Sequence, residues 1–374
     1  MRIMVVVGTR PELIRLSRIV SLLRETTECV LVHTGQNFSY ELGEIFYGDL
    51  GMEPPDLYLG AVGSTLAETI GAIIVKCDEA MAKVNPDALL VLGDTNSALS
   101  VIPAKRRKIP VFHYEAGNRC FDQRVPEEIN RRIVDHTSDV NLAYSEIAKQ
   151  NLLREGLPMD RTFNIGSPML EVLEHYADKI ARSDVVSHFG LQEGKYFVLS
   201  SHREENVDEK GHLEKLARAI GRILGEYPFP ILFSVHPRTE KRLEEFGVRF
   251  DERVIKSKPL SFTDYIALQK SAYCVLSDSG TITEESAILG FPAINIRETH
   301  ERLEGMEKTA VVLTGFSDDA ILAGITVARR QKDAYGVILN EVPDYFQRGI
   351  SEKILRIVLS YTDYVNRVVW RKQS

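Results

Sequence analysis

Short apolar runs rich in β-branched residues alternate along this chain with longer stretches in which apolar residues return every three or four positions. The runs fall at 2–7, 30–33, 88–92, 111–114, 140–143 and 162–165, and, after a polar stretch around 178–194, at 196–200, 231–235, 253–255, 273–276, 293–296 and 310–313. Strands alternating with helices in this rhythm predict βα units and parallel sheets. The run 88–92, Ala-Leu-Leu-Val-Leu, has no polar face, so helices must cover it on both sides. The predicted fold class is therefore α/β: two Rossmann-like, doubly wound parallel-sheet domains with an interdomain cleft. At 351–369, Ile354, Leu355, Ile357, Val358, Tyr361 and Val365 recur at helical spacing and predict one long amphipathic helix. Open parallel sheets bind ligands beyond the carboxyl ends of their strands, so the residues just after each run are the candidates for function.

Length and composition agree with this pattern. At about 150 residues per domain, 374 residues suggest two domains, and 44% hydrophobic with 26% charged residues is ordinary for a chain that folds throughout. A net charge of −7 does not favour nucleic acid, so any phosphate must be held locally. The first apolar run stops at Gly8, far short of a secretory core or of the ~20 residues of a membrane helix; no membrane partner and a cytoplasmic location are the default expectations. Cys29, Cys77, Cys120 and Cys274 are scattered without metal-like spacing and read as reduced thiols. Neither G-x-G-x-x-G nor G-x-x-x-x-G-K-[ST] occurs, which leaves a dinucleotide oxidoreductase or a P-loop NTPase without support.

Several strand ends carry chemistry. Gly8-Thr9-Arg10-Pro11-Glu12 follows the first run, and Pro11 suits a first helical turn whose free N–H groups could receive a phosphate, with Arg10 and Arg15 adding charge. Ser277-Asp278-Ser279-Gly280-Thr281 offers a second cradle, in which Ser279 and Thr281 bring hydroxyls and Gly280 allows close backbone approach. Glu284 and Glu285 follow it, where one could meet ribose hydroxyls or both could simply complement the helix dipole. Ser201-His202-Arg203 and Val235-His236-Pro237-Arg238 end two further runs and bring two His/Arg pairs to one edge, a charge suited to a diphosphate. Asp94, Glu115 and Glu127 sit after runs or at a helix start, and carboxylates of like charge gathered at one wall are suited to proton transfer. For Glu127 and Glu128 the plainer alternative is a helix start after Pro126.

Taken in order, the motifs GTRPE, GDT, HYEAG, PEEINR, SHREE and DSGTITEE span most of the chain, and together they resemble the non-hydrolysing UDP-N-acetylglucosamine 2-epimerase family of isomerases. The resemblance implies a glycosyltransferase-B type fold binding a UDP-sugar between its domains. An N-terminal domain over 1–170 would be rejoined by the C-terminal helix 353–374, and a UDP-binding domain would cover 171–352. It implies Asp94, Glu115, Glu127 and His202 as the catalytic set, and Arg10, Arg15, His236, Ser279, Gly280, Thr281 and Glu285 as the UDP contacts. The reaction implied eliminates UDP and adds it back with C2 inverted, using no cofactor and no metal; which carboxylate is base and which acid stays open. A homodimer is compatible with the resemblance. The stretch 118–126, Asn-Arg-Cys-Phe-Asp-Gln-Arg-Val-Pro, resembles the subgroup acting on 6-deoxy sugars, UDP-2-acetamido-2,6-dideoxy-L-talose 2-epimerases that make UDP-N-acetyl-L-fucosamine for surface polysaccharides. Gln36-Asn37 stands in place of a Gln-His pair and Arg15 in place of the usual lysine. Other readings of the same architecture are a UDP-N-acetylglucosamine/UDP-N-acetylmannosamine 2-epimerase, a hydrolysing epimerase, a glycosyltransferase and a non-catalytic UDP-sugar sensor. Against the transferase, retaining members often carry a glutamate eight positions before a second one, where this chain has Ser277 before Glu285.

Overall fold

The structure is a computed structural model that describes residues 1–35, 40–308, 311–335 and 342–372, without the side chains of 40–44 and 204–205. Gln36 and Asn37 lie outside the described residues. The chain divides into two compact units, Met1–His175 with Asp344–Ser374, and Tyr176–Pro343.

The first unit is built on a seven-stranded sheet of β1 (Arg2–Val7), β2 (Glu28–His33), β3 (Leu57–Tyr58), β4 (Ala88–Leu92), β5 (Val111–Ala116), β6 (Val140–Ala143) and β7 (Thr162–Asn164). Their order is β3-β2-β1-β4-β5-β6-β7, and every pairing is parallel. The alternation of β1 explains the double coverage. Ile3, Val5 and Val7 enter one core with Leu13, Leu16 and Ile19 of the helix Arg10–Thr26, while Met4 and Val6 enter another with Ile73 and Cys77 of the helix Leu66–Val84. Each such side chain, once fully buried, contributes about 1.5–3 kcal/mol of transfer free energy.

The second unit has six parallel strands, β8 (Phe197–Ser200), β9 (Ile231–Ser234), β10 (Val254–Ser257), β11 (Cys274–Ser277), β12 (Ala293–Asn295) and β13 (Val312–Leu313), ordered β10-β9-β8-β11-β12-β13. It repeats the logic of the first: Phe197 and Leu199 face one core and Val198 the other. Both units are thus doubly wound α/β sheets, as the apolar runs predict.

Three details differ from the sequence pattern. The two-residue edge strand β3 is too short to show a period, and its Tyr58 stacks on His33 at 5.4 Å between ring centroids. Strand β5 continues to Ala116 because a bulge at Glu115 lets Ala116 still pair with Ala143. The C-terminal helix is regular only over Ile350–Tyr364 and widens into a π-helical turn at Val365–Val369. Its Ile350, Ile354, Leu355 and Val358 join the core around Leu13 and Leu16 of the first unit. Among the described residues no helix is long and apolar enough to cross a membrane.

Candidate active site

In the first unit the loop after β1 leads into the helix Arg10–Thr26 with Thr9 as its N-cap and Pro11 in its first turn. The loop donors just ahead of that turn are already engaged. The N–H groups of Gly8 and Thr9 donate to Glu12 Oε2 at 3.0 and 2.7 Å, and the Thr9 hydroxyl donates to the same oxygen at 2.7 Å. Thr95, next to Asp94, donates to the other oxygen at 3.1 Å. A side-chain carboxylate four residues after Gly8 thus takes up the loop N–H groups that precede the helix. Burial pushes the Glu12 carboxyl up to about 7 despite these hydrogen bonds. The Arg10 guanidinium lies 5.2 Å from the Phe46 ring centroid, and desolvation lowers its pKa from the ordinary arginine value.

Asp94 follows Gly93, whose φ of +71° suits glycine at this turn. The helix Pro126–Thr137 grips this loop from the side. Arg131 Nη2 lies 2.7 Å from Asp94 Oδ2, and the Asn130 amide donates to the Asp94 carbonyl at 3.0 Å. Glu115 is the bulged residue of β5 and adopts φ +68°, a left-handed conformation uncommon outside glycine and asparagine. Its carboxylate is 9% exposed and takes a 2.7 Å bond from Arg15 Nη1. Arg15, expected at UDP, thus pairs with a proposed catalytic group in this structure.

Glu127 and Glu128 open the helix and part ways. Glu128 is buried beneath Arg131 Nη1 at 2.9 Å and Arg132 Nη2 at 3.2 Å, and also accepts from the Cys120 N–H at 3.1 Å. Glu127, one residue earlier, keeps partial exposure. Asp94, Glu115 and Glu127 therefore sit on adjoining elements: the loop after β4, the end of the β4-paired strand β5, and the helix whose Arg131 and Asn130 hold Asp94.

In the second unit the organising group is Asp278, fully buried after β11. It accepts from the Ser201 hydroxyl at 3.0 Å, from the N–H groups of His202 and Arg203 at 2.9 and 3.1 Å, and from the Asn206 amide at 2.9 Å. His202 Nδ1 lies 3.1 Å from Asp278 Oδ1 while the ring stays 41% exposed. Burial alone would raise the Asp278 carboxyl, but His202 and the surrounding donors outweigh it and hold the group well below the ordinary carboxylate range. The rings of His202 and His236 approach to 6.3 Å between centroids. The expected convergence of two His/Arg pairs holds for the histidines, but Arg238 forms an ion pair with Asp208, with Nε 3.0 Å from Oδ1, so its charge is compensated locally.

Ser279, Gly280 and Thr281 form the turn ahead of the helix Ile282–Leu289. The Ser279 and Thr281 hydroxyls lie 3.0 Å apart, and a Cβ on Gly280 would come within 2.7 Å of Glu301 Oε1. Glu285 is buried and accepts from the Gln269 amide at 2.9 Å, whereas Glu284 pairs with Arg302 at 2.7 Å.

Four groups stand at these sites without having been singled out in the sequence: Glu12, Asn130, Arg131 and Asp278. The spacing of Glu127, Asn130 and Arg131 at three and four positions was a signal that they share a helix face. Thr9 and Glu12 carry the local spacing of a capping box, but nothing local marks the bond from Thr95 to Glu12, or Asp278, whose partners come from the loop after another strand.

Comparison with known proteins agrees with this geometry. The family model described as UDP-N-acetylglucosamine 2-epimerase matches residues 21–359. A solved structure of UDP-N-acetylglucosamine 2-epimerase from Rickettsia bellii is 48% identical, covers 100% of both chains and superposes with a TM-score of 0.93. The crystal structure of the Methanocaldococcus jannaschii UDP-GlcNAc 2-epimerase in complex with UDP-GlcNAc and UDP is 32% identical over 96% of this chain and 100% of its own, with a TM-score of 0.88. The UDP-2,3-diacetamido-2,3-dideoxy-D-glucuronate 2-epimerase of Pseudomonas aeruginosa is 32% identical over 86% of this chain and 90% of its own. A family match across most of the chain, with the acidic and histidine-bearing loops in the positions just described, establishes that the chain belongs to the UDP-N-acetylglucosamine 2-epimerase family of isomerases.

Proposed function

We propose that this protein is a UDP-sugar 2-epimerase that inverts C2 of a UDP-2-acetamido sugar by eliminating UDP and adding it back. The observation that carries the reading is the gathering of Asp94, Glu115 and Glu127 on adjoining elements with Arg131 and Arg15 against two of them. The C2 proton of such a sugar is not next to a carbonyl. A carboxylate can remove it only while the C1–O bond to UDP breaks and C1 becomes cationic, so leaving-group stabilisation has to accompany proton transfer. In this reading Arg10, His202, His236 and the Ser279-Gly280-Thr281 turn hold the diphosphate, Glu285 meets the ribose, and Arg15 answers to both Glu115 and the nucleotide. Asp94, Glu115 and Glu127 move the protons at C2, and His202, oriented through Nδ1 by Asp278, steadies the departing UDP. Proton removal from one face, rotation of the unsaturated sugar, protonation on the other face and re-addition of UDP complete the inversion with atoms balanced.

For the sugar itself, the 118–126 segment between Glu115 and Glu127 supports UDP-2-acetamido-2,6-dideoxy-L-talose, giving UDP-N-acetyl-L-fucosamine for a surface polysaccharide. A second reading, UDP-N-acetylglucosamine to UDP-N-acetylmannosamine, is favoured by the names of the relatives from R. bellii and M. jannaschii. Incubation of the purified protein with each nucleotide sugar separately tests both. Turnover of the 6-deoxy-L-talo compound alone is the expected result; turnover of UDP-N-acetylglucosamine alone replaces the first substrate by the second, and inertness toward both, with UDP still bound, overturns the enzymatic reading in favour of a sensor.

A further inference from the structure

Glu115 adopts a conformation that a glutamate does not take on its own. A non-glycine residue at positive φ costs of order 1–3 kcal/mol and persists only where its surroundings hold it. The surroundings lead to one buried side chain. Asp135, on the helix Pro126–Thr137, is 0% exposed and takes no part in the mechanism above. Its two carboxylate oxygens accept from the N–H of Gly117 at 3.2 and 3.3 Å, two residues after Glu115. Its Oδ1 stands 2.9 Å from Nδ1 of His113, two residues before Glu115. One carboxylate therefore brackets the bulge from both sides. Only glycine fits at 117, where φ is +84° and a Cβ would fall 2.2 Å from the Ala148 carbonyl, so the backbone packs closely on its other side.

The same group reaches the other two acids. The far nitrogen of His113, Nε2, lies 2.8 Å from the carbonyl of Gly93, which immediately precedes Asp94. Glu127 is on the helix of Asp135 itself, about two turns nearer its start. The negative charge is balanced by Arg119, whose Nη1 lies 2.7 Å from Oδ2 and whose Nη2 lies 2.6 Å from Glu155. Arg119 Nη1 also donates to the Asn118 carbonyl at 2.7 Å, one residue past Gly117, whereas the contacts to the Gly117 N–H and to His113 are made by Asp135 itself.

We propose that Asp135 is a positioning residue that sets Asp94, Glu115 and Glu127 in mutual register through His113, the Gly117 N–H and its own helix; this rests on the epimerase reading above. A carboxylate displaced by about 1 Å can lose on the order of 100-fold in rate while ligand binding elsewhere is untouched.

The test compares wild type, Asp135→Asn and Arg119→Gln for turnover of the UDP-sugar substrate, for UDP affinity by titration calorimetry and for thermal melting. Asp135→Asn is expected to lower kcat by about 10- to 100-fold with KM and the Kd for UDP within about twofold of wild type. Arg119→Gln should lower the melting temperature through loss of the charge balance and of its bond to the Asn118 carbonyl, and lower kcat less than Asp135→Asn does, because Asp135 keeps its contacts to His113 and the Gly117 N–H. An Asp135→Asn enzyme with unchanged kcat, or one whose kcat falls no further than that of an equally destabilised Arg119→Gln enzyme, overturns the proposal. Should Asp135→Asn fail to fold, the charge-balanced double variant Asp135→Asn/Arg119→Gln is compared with Arg119→Gln alone, and the same kcat difference is required. A wild type that binds UDP but turns over neither nucleotide sugar overturns the epimerase reading itself, a result distinct from an active wild type with an equally active Asp135→Asn.

Discussion

In each sheet the strand order reverses direction at one place, between β1 and β4 in the first unit and between β8 and β11 in the second, and at both places one buried carboxylate stitches the two flanking loops together. Glu12 links Gly8 and Thr9 to Thr95; Asp278 links Ser201, His202 and Arg203 into the loop after β11. Burial acts in the same direction on both. The outcomes are opposite: Glu12 is pushed up to about 7, and Asp278 is held far below the carboxylate range. Among the described residues the hydrogen bonds to Glu12 come from neutral groups, whereas Asp278 has the His202 ring 3.1 Å away and an extra amide from Asn206. Backbone N–H groups satisfy a buried carboxylate geometrically, and an adjacent ring able to carry charge decides whether it stays ionised. The two loops accordingly do different work: the first closes its own anion seat, while the second presents an oriented, part-exposed histidine.

The largest effect is expected from breaking the second stitch. Asp278→Asn replaces a buried carboxylate that accepts from Ser201, His202, Arg203 and Asn206 and should cost about 3–5 kcal/mol at neutral pH, since a hydrogen bond to a charged group contributes about 1.5–3 kcal/mol and the amide cannot accept all of them. Because the folded carboxyl is depressed below its unfolded value, this contribution is present above the ordinary aspartate range and is lost as pH falls through the folded pKa. Urea unfolding of both proteins should therefore show a gap at neutral pH that narrows in acid; a gap independent of pH would mean that Asp278 is not the titrating group. Glu12→Gln sharpens the contrast with the opposite sign. A folded pKa raised from 4.5 to about 7 makes the native state hold the extra proton, so the wild type loses stability as pH rises through that window, by about 3 kcal/mol. The glutamine variant should lack that slope, and a variant with the wild-type slope would show that Glu12 titrates as an ordinary carboxylate. The smallest effect separates the two loops as anion seats. Ser279→Ala should weaken UDP binding by roughly three- to tenfold, the worth of one hydrogen bond, while Thr9→Ala should leave UDP affinity unchanged; equal losses in both would erase the proposed division of labour.

The fold was legible because both faces of nearly every strand are buried. Ile3, Val5 and Val7 against Met4 and Val6, or Phe197 and Leu199 against Val198, make apolar runs that have only one packing solution. What escaped was short or non-periodic: β3, with two residues at the sheet edge, and the bulge at Glu115, which depends on Asp135 twenty residues away. Asp94, Glu115, His202 and Ser279 could be singled out because each comes within three residues of the end of an apolar run, although Glu115 proves to lie inside β5 as its bulge. Glu12 and Asp278 were invisible as stitches because a carboxylate at a helix start reads locally as a dipole complement, and only the folded sheet brings the loop after a second strand beside it. Arg238 misled for the same reason, since its partner Asp208 lies thirty residues upstream.

The central claim is that a side-chain carboxylate exchanges the C2 proton with solvent while the bond to UDP is open. It is tested most directly by running the wild-type reaction in heavy water and reading the product by NMR, beside Glu115→Gln. Product carrying one deuterium at C2, with kcat lowered about 10²- to 10⁴-fold in Glu115→Gln, is the predicted result; an epimerised product with its original hydrogen at C2 would contradict the account.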